Sequence, residues 1–331
     1  MTSAATALLL GQAALSFAAS PFVEDLHRAQ ARDADDPERI EFATRAIREW
    51  EPPDGKPLLA AARFARAEGR AAKLDDAAVE DDLNAALDLD PLNDKAKLMR
   101  ARARVGLGAG RLAERDALDY ISSRPDDAEA WLALGDARAL QGGEKAGKPA
   151  RDAYGKAGAL LGPDDPRPGL GIGRAYLSAR AHKEALAALS QAAERPGKKK
   201  GELLSERARA YAALGDWPAA HDDLARAVPE LERRFEDVRR IGAVRRAQDR
   251  VRGTLADAYF RLGLSDEALS RRDQALLDHK EACGLGHAAA CARVDSLSKP
   301  EPRAAPAPKA PPKPKRKKNP KGDRGERIYA N

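Results

Sequence analysis

The chain has 331 residues, 43% hydrophobic, 5% aromatic and 33% charged, with 58 Lys+Arg against 52 Asp+Glu and two cysteines. So few aromatics, in an apolar fraction that leans on alanine, disfavour the bulky core of a large β-sandwich or barrel and favour close helix packing. Two cysteines exclude a disulfide-dense scaffold and a four-cysteine zinc site.

The chain opens without a charged side chain before Glu24, and Ala4 to Ala19 is a small, apolar run. That run is shorter than the ~20 residues that span a bilayer and suits the apolar part of a secretory signal. Residues 1–20 are therefore read as a signal peptide, with an apolar N-terminal packing helix as the alternative.

A self-similar pattern follows. Pro91 and Pro125 each close a helical stretch, and WLALGDAR, GLGIGRAY, ERARAYAALGD and TLADAYFRLGL repeat one theme. Small residues recur at Ala101, Gly135, Gly173, Ala208 and Ala256, and tyrosines at Tyr176, Tyr211 and Tyr259. Paired alanines seven apart follow: Ala185 and Ala192, Ala220 and Ala227, Ala268 and Ala275. Small residues at such spacing notch one helix face so that a second helix can approach it.

These positions resemble the tetratricopeptide repeat family. The resemblance implies an all-α, right-handed α-solenoid of helical hairpins over residues 22–275, in about six units. The stretch ERIEFATRAIREWEPP resembles a second helix, and PLLAAARFARAEG a first helix. First helices are then expected to line a concave groove, with Arg102, Asp136, Arg174, Arg209 and Asp257 pointing into it. These mixed charges predict a polar, charged protein or peptide as the partner. The family's carboxylate clamp needs Lys and Asn where this chain has Leu98, Leu132, Leu170, Ser205 and Gly253.

Between the last two units the spacing lengthens. Leu231, Phe235, Val238, Ile241, Val244, Val251 and Leu255 recur at helical steps, so one long inserted helix is expected near 229–262. Eight arginines lie between Arg233 and Arg252. A solvated face with local ion pairs is the expected reading, and a basic ridge for an anionic partner the alternative.

Over residues 276–297, HKEACGLGHAAACARVDSL resembles the cysteine-paired hairpins of Sel-like repeat relatives. The resemblance implies a Cys283–Cys291 disulfide and an oxidising compartment. Free buried thiols and a metal site are the alternatives. On one straight helix His279, Cys283, His287 and Cys291 would spread over ~18 Å, so only a bend at Gly284–Gly286 could gather them on an ion.

The basic excess lies in residues 298–331, which hold 11 Lys+Arg against 3 Asp+Glu and eight of the 22 prolines. This tail is expected to be disordered. Lys313, Lys315, Arg316, Lys317, Lys318 and Lys321 give it the character of an electrostatic arm for an anionic surface or polyanion.

No catalytic or cofactor motif stands out. GLGIG at 169–173 follows no strand and precedes no Lys-Ser/Thr, and the five histidines are scattered. The expectation is a non-enzymatic interaction scaffold without cofactor, metal or small-molecule substrate, periplasmic or secreted. The alternative is a cytoplasmic adaptor whose tail binds nucleic acid.

Overall fold

The computed structural model of the protein describes residues 20–195 and 199–299. The apolar start before Ser20 and the basic tail beyond Lys299, with the Lys313–Lys321 cluster, lie outside the described residues.

Among the described residues there are fifteen α-helices and no strand. They are α1 (Pro21–Gln30), α2 (Pro37–Glu49), α3 (Lys56–Ala72), α4 (Asp76–Leu89), α5 (Asp94–Leu107), α6 (Gly110–Ser123), α7 (Ala128–Gln141) and α8 (Gly143–Leu161). There follow α9 (Arg167–Ser178), α10 (His182–Ala193), α11 (Lys200–Ala213), α12 (Trp217–Arg240), α13 (Arg245–Ala268), α14 (Arg272–Gly284) and α15 (Ala288–Leu297). Their starts follow from local chemistry. Asp75, Asn93, Asp127 and Asp216 each accept a backbone N–H of the first turn of the helix they precede. Proline stands in the first turn of α1, α2, α3, α9 and α12, where its missing N–H costs nothing.

Each helix packs on the next, and odd-numbered helices also touch one another: α1 on α3, α5 on α7, α7 on α9, α9 on α11 and α11 on α13. That pattern makes an α-solenoid of seven stacked hairpins, with α15 folded back on α14. A left-handed residue turns the chain inside successive hairpins, at Leu74, Gly108, Gly142, Arg180, Gly215 and Ser270. Two of the expected alanine pairs are closed notches, Ala185 with Ala192 and Ala220 with Ala227, and Ala150 and Ala157 of α8 are buried in the same way. Gly169, Gly171 and Gly173 lie within α9, where a Cβ would crowd Ala192, Tyr154 and Leu189; GLGIG is helix packing.

Two expectations are corrected. The single inserted helix is two helices, because the chain reverses at Ile241–Val244 with Gly242 at φ +64°. Folding back lets Val238 pack against Ala243, Ala247 and Val251, burying an apolar stripe that one straight helix would leave open. The last repeat is also displaced by seven residues from the expected register. α13 runs through Gly263 to Ala268, which is exposed, and the buried pair in α14 is Ala275 and Ala282. Gly263 is the true notch: its bare face receives the His279 ring.

Candidate interaction groove

The first helices present three clefts in series. One lies between α3 and α5, where Phe64, Val79, Leu98 and Met99 form an apolar wall. A middle cleft lies over α5, α7 and α9, with Leu132 and Leu170 beneath Arg102, Asp136, Arg167, Arg174 and Lys199. A third lies between the start of α11 and the second half of α12, lined by Lys199, Glu202, Glu230 and Arg234. Arg102 belongs to the first and middle clefts and Lys199 to the middle and third, so the three form one track.

A ladder of ion pairs crosses this track from helix to helix. Arg102 of α5 donates to Glu129 of α7 at 2.6 Å, and Arg167 of α9 meets the other oxygen of Glu129 at 2.7 Å. Arg174 of α9 reaches Glu202 and Glu206 of α11 at 2.9 and 3.0 Å. Glu202 in turn receives Arg234 from α12. Burial opposes the charge on Glu202, but Arg234 and Arg174 outweigh it and hold its carboxyl below the usual range.

Asp136 stands at the centre. The Tyr154 hydroxyl donates to it at 2.6 Å, from a ring wedged against Gly135 and Gly171. Burial nevertheless raises the Asp136 pKa, despite that hydrogen bond and the nearby Lys199 and Arg174. Burial and the Asp136 charge together drive the Tyr154 hydroxyl far upward, so it stays a donor. The middle cleft therefore brings four cations together with Glu129 and Asp136, while Arg167 is further paired with Asp165 and Arg174 with Glu202 and Glu206.

Three of the five expected groove residues meet here: Arg102, Asp136 and Arg174. Arg209 is instead exposed on α11 and pairs with Glu206 one turn away at 3.6 Å. Asp257 pairs with Arg261 of its own helix at 2.5 Å. Its misplacement follows from the displaced register, which puts Leu264 next to the true notch Gly263. Glu129, Arg167 and Lys199 escaped the sequence reading because they sit near the starts of their first helices, outside the notch pattern. The leucines that replace the clamp residues at 98, 132 and 170 form cleft floors.

Cys283 and Cys291 are joined by a disulfide, with Cα atoms 4.8 Å apart. Their sulfurs are thereby withdrawn from metal ligation, and His279 is engaged by Glu267 at 2.8 Å. Among the described residues no group of three or more His, Cys, Asp or Glu side chains is arranged to hold a metal ion. No described helix is long and apolar enough to cross a membrane.

Solved structures share this architecture. A tetratricopeptide repeat protein from Parabacteroides merdae aligns with 84% of this chain and 99% of its own, at TM-score 0.57 and 18% identity. PilW, described as a widely conserved type IV pilus biogenesis factor, aligns over 67% of this chain and 91% of its own, at TM-score 0.52 and 18% identity. The pilF protein of Pseudomonas aeruginosa covers 73% of this chain and 98% of its own, at TM-score 0.51 and 14% identity. No protein-family model and no curated protein matches the sequence. At these identities the likeness establishes the fold.

Proposed function

We propose that this tetratricopeptide-type solenoid is a non-enzymatic interaction scaffold whose groove takes an extended peptide segment carrying acidic side chains. The cation-lined middle cleft carries this reading: Arg102, Arg167, Arg174 and Lys199 converge over a leucine floor, where an incoming carboxylate can exchange with Glu129, Glu202 and Glu206 as their partner. An acidic side chain would pair with Lys199, which makes no salt bridge among the described residues, and rest its stem on Leu132 and Leu170. Selection of displayed random peptides on the full chain tests it. Acidic sequences should be enriched, and Arg174→Glu with Lys199→Glu should weaken them at least about tenfold. Selected peptides indifferent to both substitutions would sink the reading.

The same reading places the protein on the exported side of a bacterial envelope. The Cys283–Cys291 bridge supports it, since such bonds persist in oxidising compartments, and so does the signal-like start. Intact mass of the protein isolated from its host is the check, and a full-length, fully reduced chain counts against export. The basic tail would add an electrostatic contact to an anionic surface, falling steeply with salt. Polyanion binding unchanged by deleting Lys299–Asn331 would rule that out.

A further inference from the structure

The hairpin formed by the outer halves of α12 and α13 does not end in solvent. Its tip reaches back to the second and third hairpins of the solenoid. The Val244 amide donates to the Lys73 carbonyl at 3.2 Å, and the Lys73 ammonium donates to the Ile241 carbonyl at 2.9 Å. Arg250 reaches Asp76 at 3.0 Å and the Gly106 carbonyl at 3.3 Å, and Arg246 reaches the Leu107 carbonyl at 3.3 Å. These two arginines therefore sit on the negative end of α5, where a cation is favoured. Leu74, a non-glycine residue at φ +55°, packs on the tip's cluster of Val238, Ala243, Ala247 and Val251.

The arm thus holds both ends of the groove. Asp76, which the arm's Arg250 binds, lines the first cleft, while Glu230 and Arg234 at the arm's base line the third. The helices of the groove and the arm make one closed circuit. Its closing contacts are one backbone–backbone bond, the Lys73 ammonium on the Ile241 carbonyl, half-exposed arginines and one small apolar cluster, a set weak enough to open without unfolding the solenoid.

We propose that the α12–α13 arm is a clasp that closes the groove around its ligand, so that an acidic peptide segment enters by a free end or only after the arm has opened. This rests on the groove reading above. The distinction matters for the kind of partner: a segment with a free terminus has direct access, whereas one tethered between folded domains must wait for opening.

The experiment uses the full chain and a fluorescent Glu/Leu/Ser peptide, free or carried between two folded domains. The wild-type protein should bind the free peptide and associate with the flanked one roughly tenfold more slowly or worse. Arg246→Ala with Arg250→Ala should abolish that difference and expose the Val244 amide to hydrogen exchange, while circular dichroism stays unchanged. Arg250→Lys, retaining the charge, should keep part of both effects. Equal association rates for the two peptides in the wild type, or an unprotected Val244 amide, overturn the clasp and leave the groove standing. If neither peptide binds while Val244 is protected, the groove reading itself fails, and the clasp's gating role with it.

Discussion

Arg100 of α5 forks onto Asp116 of α6, giving each carboxylate oxygen an N–H at 2.8 Å, and Arg104 adds a third donor at 2.7 Å. Asp116 is 2% exposed, and guanidinium groups meet both oxygens of this buried carboxylate, which burial alone would penalise. The relation repeats: Arg66 forks onto Asp82 and Arg207 onto Asp223, each pair sixteen residues apart. Each joins the two helices of one hairpin. Asp116→Ala should therefore cost about 3 kcal/mol in urea unfolding at neutral pH, because it leaves Arg100 on Asn84 and Arg104 on Glu80 and Asn84 without the carboxylate they share. Replacing Arg100, Arg104 and Asp116 together by Met, Met and Leu should cost much less. A single-variant loss below about 1 kcal/mol would show that the arginines find other partners.

The displaced register of the last repeat makes a paired prediction on one helix. A Cβ at Gly263 would lie 2.7–2.9 Å from three atoms of the His279 ring, whereas at Gly253 it meets nothing within 4 Å. Alanine is favoured over glycine in a helix by about 1 kcal/mol, and that gain should appear alone in Gly253→Ala. Gly263→Ala must also displace a fully buried ring, so it should destabilise by about 1–3 kcal/mol. Chemical denaturation of both variants checks the contrast. Equal shifts of the same sign would contradict the placement of Gly263 as the notch.

How much of this was legible in the sequence depends on what each signal measures. The hairpins from Pro91 to Ala227 could be read because alanine notches and turn residues report helix contacts locally. The last repeat could not be read in register, because TLADAYFRLGLSD imitates RARAYAALGD while the real turn is made by Ser270, a non-glycine residue at φ +61°. A helical period cannot tell a long helix from a hairpin of the same residues, so Gly242 passed unnoticed. Contacts such as Val244 to Lys73 leave no local trace. The Arg–Asp pairs did leave one, a recurring sixteen-residue spacing, hidden among many charges that are merely solvated.

The disulfide ties α15 to α14, and Arg293 of α15 also reaches Glu267 of α13 at 3.4 Å. α15 packs on α14, and among the described residues of α15 only Ala290 is buried, so its apolar anchorage is small. The cross-link closes a short loop and should contribute about 2–3 kcal/mol by restricting the unfolded chain. Cys283→Ser with Cys291→Ser should speed hydrogen exchange across α15 and leave α5 to α11 unaffected. Loss of protection throughout the solenoid would assign the bridge a global role instead.

Asp266 of α13 is fully buried, with the Arg271 guanidinium at 3.5 Å and the His221 ring of α12 at 3.3 Å. Burial and the adjoining Asp266 carboxyl push Asp278 of α14 up to about 7. A carboxyl whose folded pKa exceeds its unfolded value of 3.8 holds its proton more tightly in the native state. Its stabilising contribution is complete below that unfolded value and is lost as pH rises toward about 7. Unfolding free energy should therefore fall across this window by an amount on the order of 1–2 kcal/mol attributable to the pair, after allowance for solvent screening. Asp278→Asn removes the titration and should flatten that part of the profile, gaining on the wild type as pH rises. Urea melts through the window, with wild type and variant side by side, read the difference directly. Parallel profiles would mean that Asp278 is ionised in the folded protein throughout, with the Arg271 cation beside Asp266 sustaining both charges.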